Sequence, residues 1–227
     1  MNRTAWICAI ILVLMAALSF CAPLFESWLN VSATEVDIYS RFGAPSWQNW
    51  LGTDELGRDV WTRLLYGGQI SMSVGLLTAV SAALISTTIG LIAAMRRGWT
   101  DIILMRLTDS VIALPLLPLL IILAAIDLSK LGLPAYLVQS EYISLIRIVA
   151  ILALFGWTTV ARLVRASALS VLENTYITAA HALGVKPLTI LRRHVLPNVA
   201  APLIVATTLS IGTVILLESV LSFLGLG

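Results

Sequence analysis

Few residues in this chain could perform chemistry, and none of them forms a recognisable catalytic set. The two histidines, His181 and His194, lie 13 positions apart, and neither has a cysteine or carboxylate at the short spacing of metal ligands. No nucleophile can be matched with a base, and no stretch reads G-x-x-x-x-G-K-[ST], the loop that binds nucleotide phosphates. The sequence therefore predicts no catalytic residue, no metal site and no cofactor in this chain, and argues against an enzyme.

The composition is that of a chain surrounded by lipid. Apolar residues make up 59% of the 227 residues and charged residues 11%, whereas a soluble domain carries about 25% charged residues. Five apolar stretches are long enough to cross a hydrocarbon layer about 30 Å thick, and they cover residues 6–25, 70–94, 105–126, 143–161 and 199–222. We therefore predict an all-α integral membrane protein with about five spanning helices. Small residues from Gly75 to Gly90 predict close packing of the second helix.

Lysine and arginine are distributed unevenly between the two sides of these spans. With a cytoplasmic N-terminus, the inner side receives Arg3, Arg96, Arg97, Arg106, Arg162, Arg165, Lys186, Arg192 and Arg193, and the outer side receives Arg41, Arg58, Arg63, Lys130 and Arg147. Because cytoplasmic loops collect basic residues, we predict that the N-terminus and the segment 162–198 are cytoplasmic. The first apolar run has no small-x-small cleavage site after it and is expected to remain as a helix.

Three ionisable residues lie near the ends of predicted spans, where such groups commonly serve function. Glu218 could face a solute path and attract a cationic group; alternatively it pairs with Arg147 or reaches the membrane interface. Asp109 is expected to pair with Arg106, three residues earlier on the same helix.

The cytoplasmic segment contains a pattern of helix starts and stops within residues 176–197. One helical face would carry four residues, namely Ile177, Ala180, Leu183 and Gly184. Gly184 would end the first helix, Pro187 would begin a second, and Pro197 would end that one. We predict a short helix, a turn and a second helix, whose small residues leave a low surface for a partner. The alternative is an ordinary amphipathic surface helix.

A second patterned stretch lies in the polar segment between the first two spans. Its candidate residues are Gly52, Thr53, Asp54, Gly57, Arg58 and Asp59. Thr53 or Asp54 is expected to cap a helix that carries Arg58, Val60, Leu64 and Leu65. This helix would lie in the outer interface, with Trp61 as its anchor.

These stretches, in this order, resemble the permease subunits of ABC importers for dipeptides, oligopeptides or nickel, and their second ("C-type") permease in particular. Ala179-Ala180, Gly184 and His194-x-Leu196-Pro197 are similar to the "EAA" loop of the family, although Thr178 stands where the family usually has Glu. Residues 51–60 and 63–68 resemble the signature before the second helix, and 221–227 resemble the end of the fifth; 155–157, 161–165 and 193–198 fit as well.

The resemblance implies a type I (MetI-like) ABC importer transmembrane domain over residues 69–227, preceded by a first helix and outer segment over 1–68. The sixth helix of the family would lie beyond the fifth and is missing here. In this family the loop forms a coupling helix that docks into an ATPase subunit, here about residues 173–197. The coupling residues implied are Tyr176, Thr178, Ala179, Ala180, His181, Gly184, Val185 and Lys186.

The resemblance also implies a set of partners and a location. They are a bacterial inner membrane, a homologous second permease, two ABC ATPase subunits that bind ATP and Mg²⁺, and a periplasmic or lipid-anchored solute-binding protein, but no nucleic acid. Residues 52–59 would be a structural element, a contact for the binding protein, or both. Peptide is the expected cargo, and nickel is the alternative. Two rivals of another class are an ion-coupled secondary transporter, which would need buried acids or repeated broken spans, and a non-transporting membrane scaffold.

Overall fold

The computed structural model describes residues 3–126 and 141–225, and most of them are α-helical. In chain order the helices are α1 Arg3–Phe20, α2 Ala22–Leu29, α3 Val60–Arg96, α4 Gly98–Ile112, α5 Leu116–Ala124, α6 Glu141–Leu172, α7 Thr175–Ala182, α8 Pro187–Ile190 and α9 Leu196–Phe223, with a π-helical turn Leu191–Val195 between α8 and α9. Within those ranges the β pairing is a single bridge between Thr53 and Asp59. The prediction of an all-α membrane protein is confirmed. Lys130 and Gly227 lie outside the described residues.

The number of possible membrane crossings agrees with the sequence. Three helical stretches are long and apolar enough to span, and they cover Val60–Arg96, Ile143–Leu172 and Pro187–Phe223. Two further crossings are formed if α1 with α2, bent by 54°, and α4 with α5, bent by 82°, each count as one span. Up to five spans are therefore present among the described residues.

The bend between α4 and α5 corrects the prediction of one straight helix over 105–126. The two helices are separated at Ala113–Pro115 and meet at 82°. Pro115 cannot donate a backbone N–H, and a proline disfavours the helical conformation at the residue before it, here Leu114. The apolar composition of the stretch gave no indication of this break in the helix.

The prediction that Pro197 ends a helix is also wrong, because the helical path continues from Pro187 to Phe223. Pro197 has no N–H for the carbonyl four residues earlier, and the wider π-helical turn just before it absorbs this mismatch. The side-chain amide of Asn198 donates to the carbonyl of His194 at 2.7 Å and satisfies one carbonyl of that turn. The short helix α8 therefore leads directly into the last span.

The chain divides into two compact units, Met1–Ser73 and Val74–Gly227, with the division inside α3. The first unit holds α1, α2, the loop between α2 and α3, and the start of α3. The second unit holds the larger part of α3 and all later helices. The proposed domain bounds, 1–68 and 69–227, stay a prediction.

Among its described residues the second unit has three apolar clusters. The smallest consists of Ala82 of α3 with Trp157 and Ala161 of α6, and the two larger ones lie at different levels of the helices. One joins α3, α6, α7, α8 and α9 near the ends of α6 and α7, through Leu91, Ala94, Val160, Val164, Ala168, Val171, Ile177, Ile190, Val195 and Val199. The other joins α3, α5, α6 and α9 through Val74, Leu120, Ala124, Ile148, Leu152, Val214 and Leu221. The short helix α7 is thus packed against the C-terminal part of α6 and the start of α9.

Candidate functional sites

A short helix, α7, lies where the coupling helix was predicted, and Asn174 separates it from α6. The backbone of Asn174 is extended, with φ −68° and ψ 142°, which ends α6 and starts α7 in a new direction. Its side-chain amide donates to the carbonyls of Ser170 and Val171 at 3.2 and 3.1 Å. These bonds satisfy two carbonyls that the end of a helix leaves without partners. The change of direction at Asn174 is therefore stabilised by its own side chain.

Gly184 ends α7 as the sequence predicted, and the backbone geometry explains why a glycine stands there. Its φ is +73°, a left-handed conformation that costs glycine little. Its N–H donates to the carbonyl of His181 at 2.9 Å, and the N–H of Val185 donates to that of Ala180 at 3.1 Å. This pair of bonds is the usual closure of a helix by a glycine. The conformation of the turn at Gly184 is therefore determined by backbone hydrogen bonds.

One side of α7 is fixed to the protein, and the other side faces outward. Ile177 is only 1% exposed and belongs to the core shared with α6 and α9, while Ala180 and Val185 are packed against that core. The remaining predicted coupling residues are exposed, and they are Tyr176, Thr178, Ala179, His181, Gly184 and Lys186. These six are available to a partner.

The predicted helical face is correct for Ile177 and Ala180 but wrong for Leu183. The Leu183 side chain is 84% exposed, because the helix ends at Ala182 and the chain turns away from the core. Leu188, at the start of α8, is 56% exposed. These two exposed apolar side chains flank Gly184 and were not among the coupling residues predicted from the sequence. The pattern in the sequence that could have indicated them is a leucine on each side of a turn.

The two histidines occupy different environments, and neither is near a set of metal ligands among the described residues. His194 packs against Tyr176, with ring centroids 5.7 Å apart. His181 lies on the exposed side of α7. The ring contact connects α7 to the π-helical turn that precedes α9.

The candidate residues of the segment 52–59 belong to one hydrogen-bonded loop centred on Asp54. One carboxylate oxygen accepts the backbone N–H groups of Leu56 and Arg58 at 2.8 and 3.0 Å, and the other accepts Arg58 Nε at 2.9 Å and also the guanidinium of Arg63. Partial burial acts to raise the pKa of Asp54, but the hydrogen bonds from Arg58 and from the two N–H groups outweigh it and hold that pKa well below its usual range. Arg58 therefore has a structural partner within the loop.

The glycines of this loop stand where the chain leaves no room for a side chain. Gly52 has φ +76°, and a Cβ on it would lie 2.3 Å from the carbonyl oxygen of Gly43. Gly57 has φ +77°, and a Cβ there would lie 1.8 Å from the carbonyl oxygen of Asp37. The Thr53 hydroxyl accepts the N–H of Gly43 at 2.7 Å and donates to the carbonyl of Ser40.

Asp59 caps α3, which corrects two expectations. Its carboxylate accepts the N–H of Thr62 at 2.8 Å and the side-chain amide of Asn49 at 3.0 Å, and the residue is only 2% exposed. Thr53 or Asp54 was expected to be the cap, but the oxygens of both are used inside the loop. No separate interfacial helix carries Arg58 in the described chain, because α3 starts at Val60 and runs unbroken to Arg96.

Aromatic side chains surround this loop. Phe25, Trp50 and Trp61 pack with ring centroids 5.5 to 6.1 Å apart, and Trp28 contacts Phe25 and Trp50. Tyr39 and Trp47, by contrast, are 102% and 88% exposed. The loop thus has an ordered interior and an exposed aromatic surface.

The ionisable residues of the spans have partners that the sequence did not predict. Asp109 pairs with Arg162 of α6 and not with Arg106, because its side chain faces the neighbouring helix. Asp101 of α4 pairs with Arg165 of α6, with N–O distances of 2.5 and 2.6 Å. Glu218 is 6% exposed and so is enclosed within its own unit. Its role in a solute path stays a prediction.

A crevice of about 590 Å³ opens between the broken span α4–α5, α6 and α9. Its walls are mostly apolar, with hydroxyl groups among them, and include Val111, Ile112, Leu114, Leu116, Leu119, Phe155, Thr158, Thr159, Leu163, Leu209, Ser210 and Thr213. Glu218 is not one of the described lining residues. The crevice therefore runs beside the 82° bend.

Comparison with known proteins gives a consistent result. Residues 86–227 match the family described as binding-protein-dependent transport system inner membrane component. A dipeptide transport system permease protein, DppC, of Alkalihalophilus pseudofirmus is 38% identical over 226 residues, which cover 100% of this chain and 69% of that protein. A putative peptide permease protein of Brucella abortus is 36% identical over 216 residues, covering 95% and 67%. A putative peptide transport system permease protein of Brucella suis is 36% identical over 228 residues, covering 100% and 71%.

Proposed function

This chain belongs to the family of binding-protein-dependent transport system inner membrane components, and we propose that it is a permease subunit of an ATP-driven importer of peptides. The observation that carries the proposal is α7, a short helix with one side fixed to the inner ends of α6 and α9 and the other side exposed. A partner that pulls on α7 would move two spans together. The peptide cargo rests on the names of the relatives, which favour it over nickel.

The coupling step follows from how α7 is attached. Ile177, Ile190 and Val195 are each at most 1% exposed and pack with the inner half of α6. Because close-packed interiors transmit displacement rather than absorb it, the segment 173–197 would act as a rigid lever. ATPase subunits that bind ATP and Mg²⁺ would close on one another, shift this lever and tilt α6 and α9. This tilt would open the solute path alternately to the two sides of the membrane.

The exposed face defines the docking surface for the ATPase subunit. It consists of Tyr176, Thr178, Ala179, His181, Gly184 and Lys186, flanked by Leu183 and Leu188. Thr178 is exposed and uncharged, so contact at this position would use packing and a hydroxyl rather than a carboxylate. The N-terminus and this face would both lie in the cytoplasm, in line with the nine-to-five distribution of basic residues.

The other partners would meet the chain elsewhere. A homologous second permease would complete the path, with the crevice of α4–α5, α6 and α9 as this chain's contribution to it. On the outer side, the ordered loop 30–59 would present Tyr39 and Trp47 to a solute-binding protein. In this assignment Asp54, Arg58 and Asp59 hold the loop in shape, and the aromatic side chains make the contact.

The test exploits the free space around Gly184. A Cβ at this position meets no heavy atom within 4 Å in the described structure, so bulk there would disturb a docked partner more than the chain itself. Gly184→Trp should abolish co-purification of the ATPase subunit and peptide uptake, while membrane insertion persists. Gly184→Ala is the matched control, because it has the same left-handed strain without the bulk. Equal co-purification of the tryptophan and alanine variants would refute the coupling assignment.

A further inference from the structure

Two ion pairs join α4 to α6, one from Asp101 in the first turn of α4 and one from Asp109 in its last turn. Asp101 and Arg165 form a two-bond pair at 2.5 and 2.6 Å, with side chains 17% and 31% exposed. Asp109 and Arg162 form the second pair, with both side chains 48% exposed. Planar pairing of a guanidinium with a carboxylate fixes orientation as well as distance. Together the pairs hold α4 to α6 at two levels.

The same part of α6 is packed against the coupling lever. Val164, next to Arg165 in sequence, is 0% exposed and lies in the core that contains Ile177 of α7 and Val195. One side of the inner half of α6 therefore packs on the lever, and another side carries the two arginines. A displacement of α7 reaches α4 through α6.

One turn beyond Asp109, α4 stops at the break. The chain bends by 82° between Ile112 and Leu116, and both residues line the crevice opposite Leu209 of α9. Pro115 leaves this point without a continuous helical hydrogen-bond ladder. A short non-helical link between two helices absorbs a change of angle more easily than a helix does. A pull on α4 would therefore be expressed as a change in the width of the crevice.

We propose that the pairs Asp101–Arg165 and Asp109–Arg162 transmit the movement of the coupling lever to the broken span, so that ATP-driven motion of α7 opens and closes the crevice. The four residues are positioning residues, since none of them touches the solute. This inference rests on the proposed function, because it requires a lever that a motor moves.

The inference is tested by a doubly neutral variant, Asp101→Asn with Asp109→Asn. These changes keep side-chain size and remove both ion pairs. In the purified full complex reconstituted in liposomes, ATPase-subunit association and ATP hydrolysis should persist, while peptide transported per ATP falls by about tenfold. The control is Arg106→Gln, which removes a charge beside Asp101 and Asp109 but makes no ion pair in the described structure. It should transport at the wild-type ratio.

A distance measurement separates transmission from a general loss of structure. Spin labels at Leu116→Cys and Leu209→Cys, in a background of Cys8→Ser and Cys21→Ser, report the distance across the crevice. In the otherwise native complex this distance should differ between the nucleotide-free and the ATP-bound state, and in the doubly neutral variant the difference should disappear. The exchanged pair, Asp101→Arg with Arg165→Asp while Asp109→Asn is kept, should restore part of this difference if the ion pair transmits the movement.

The outcomes are distinguishable. An unchanged transport ratio and an unchanged distance response in the doubly neutral variant would overturn the inference and leave the proposed function intact. Loss in that variant with no recovery in the exchanged pair would also overturn it, because a specific pairing would not be the cause. A native complex that neither hydrolyses ATP nor moves peptide would instead refute the proposed function.

Discussion

Gly90 of α3 lies against Ala161 of α6 so closely that a Cβ on Gly90 would be 2.7 Å from the carbonyl oxygen of Ala161. The same atom would be 2.8 Å from Val164 Cγ1. Backbone atoms cannot move aside as a flexible side chain does, so α3 and α6 can pack at this distance only with glycine at position 90. The row of small residues in the sequence is explained here by a specific helix contact.

Gly90→Ala should therefore destabilise the protein by about 1–3 kcal/mol, the usual cost of overpacking a close contact. The measurement is the thermal unfolding of the purified protein in detergent, with Gly212→Ala as control. In the described structure a Cβ on Gly212 meets nothing within 4 Å. Equal unfolding temperatures of the two variants would contradict the helix contact.

Ile177→Ala should loosen the coupling lever. Its side chain is 1% exposed, and removing a buried isoleucine side chain costs about 2–5 kcal/mol. We expect lower thermal stability and faster proteolysis of the segment 173–197. Leu183→Ala removes an aliphatic side chain of similar size at a position that is 84% exposed, and its stability should stay near that of the native chain. If both changes cost the same, α7 is not anchored as described.

Leu183→Ser with Leu188→Ser should weaken the ATPase partner's binding without destabilising the chain, because both side chains are exposed. Burial of a leucine at an interface contributes about 1.5–3 kcal/mol, so loss of both should reduce affinity at least about tenfold. The measurement is co-purification across a titration of ATPase subunit. Leu183→Met with Leu188→Met retains apolar contact and should bind as the native chain does. Unchanged binding of the serine variant would exclude these leucines from the interface.

Acidification should loosen the outer loop through Asp54. Its pKa is lowered in the folded loop, so the stabilisation by the carboxylate is fully present above the ordinary aspartate pKa of about 4 and is lost as the pH falls through the lowered folded value. Cleavage of the loop by an acid-tolerant protease should therefore increase below about pH 4. Asp54→Asn should show increased cleavage already at pH 7. A loop equally protected in both proteins at pH 7 would show that Asp54 is not its centre.

Much of the architecture could be predicted from the sequence because lipid imposes a simple requirement. About 20 apolar residues per crossing identified the spans, and Gly184 marked the end of α7 because a left-handed position favours glycine. The break at Pro115 was missed because hydropathy reports burial in lipid and not helix continuity. Pro197 was misread for the opposite reason, since a π-helical turn can accommodate a proline that local rules treat as a stop.

The partners of charged side chains could not be predicted, because they depend on which helices become neighbours. Asp109 was expected to pair along its own helix with Arg106, yet its partner is Arg162, 53 positions later. Likewise the cap of α3 is Asp59 and not Thr53 or Asp54, because the loop uses their oxygens first. Local spacing predicts which groups are able to pair, and tertiary packing decides which do.

We propose above all that α7 lies on the cytoplasmic side of the membrane and is the helix on which an ATPase subunit docks. The most direct measurement places a single cysteine at Leu183→Cys, with Cys8→Ser and Cys21→Ser, and labels it with a membrane-impermeant maleimide. We predict labelling in inverted vesicles only, and protection from the label once the ATPase subunit is added. Labelling in right-side-out vesicles, or labelling that the ATPase subunit leaves unchanged, would contradict the account.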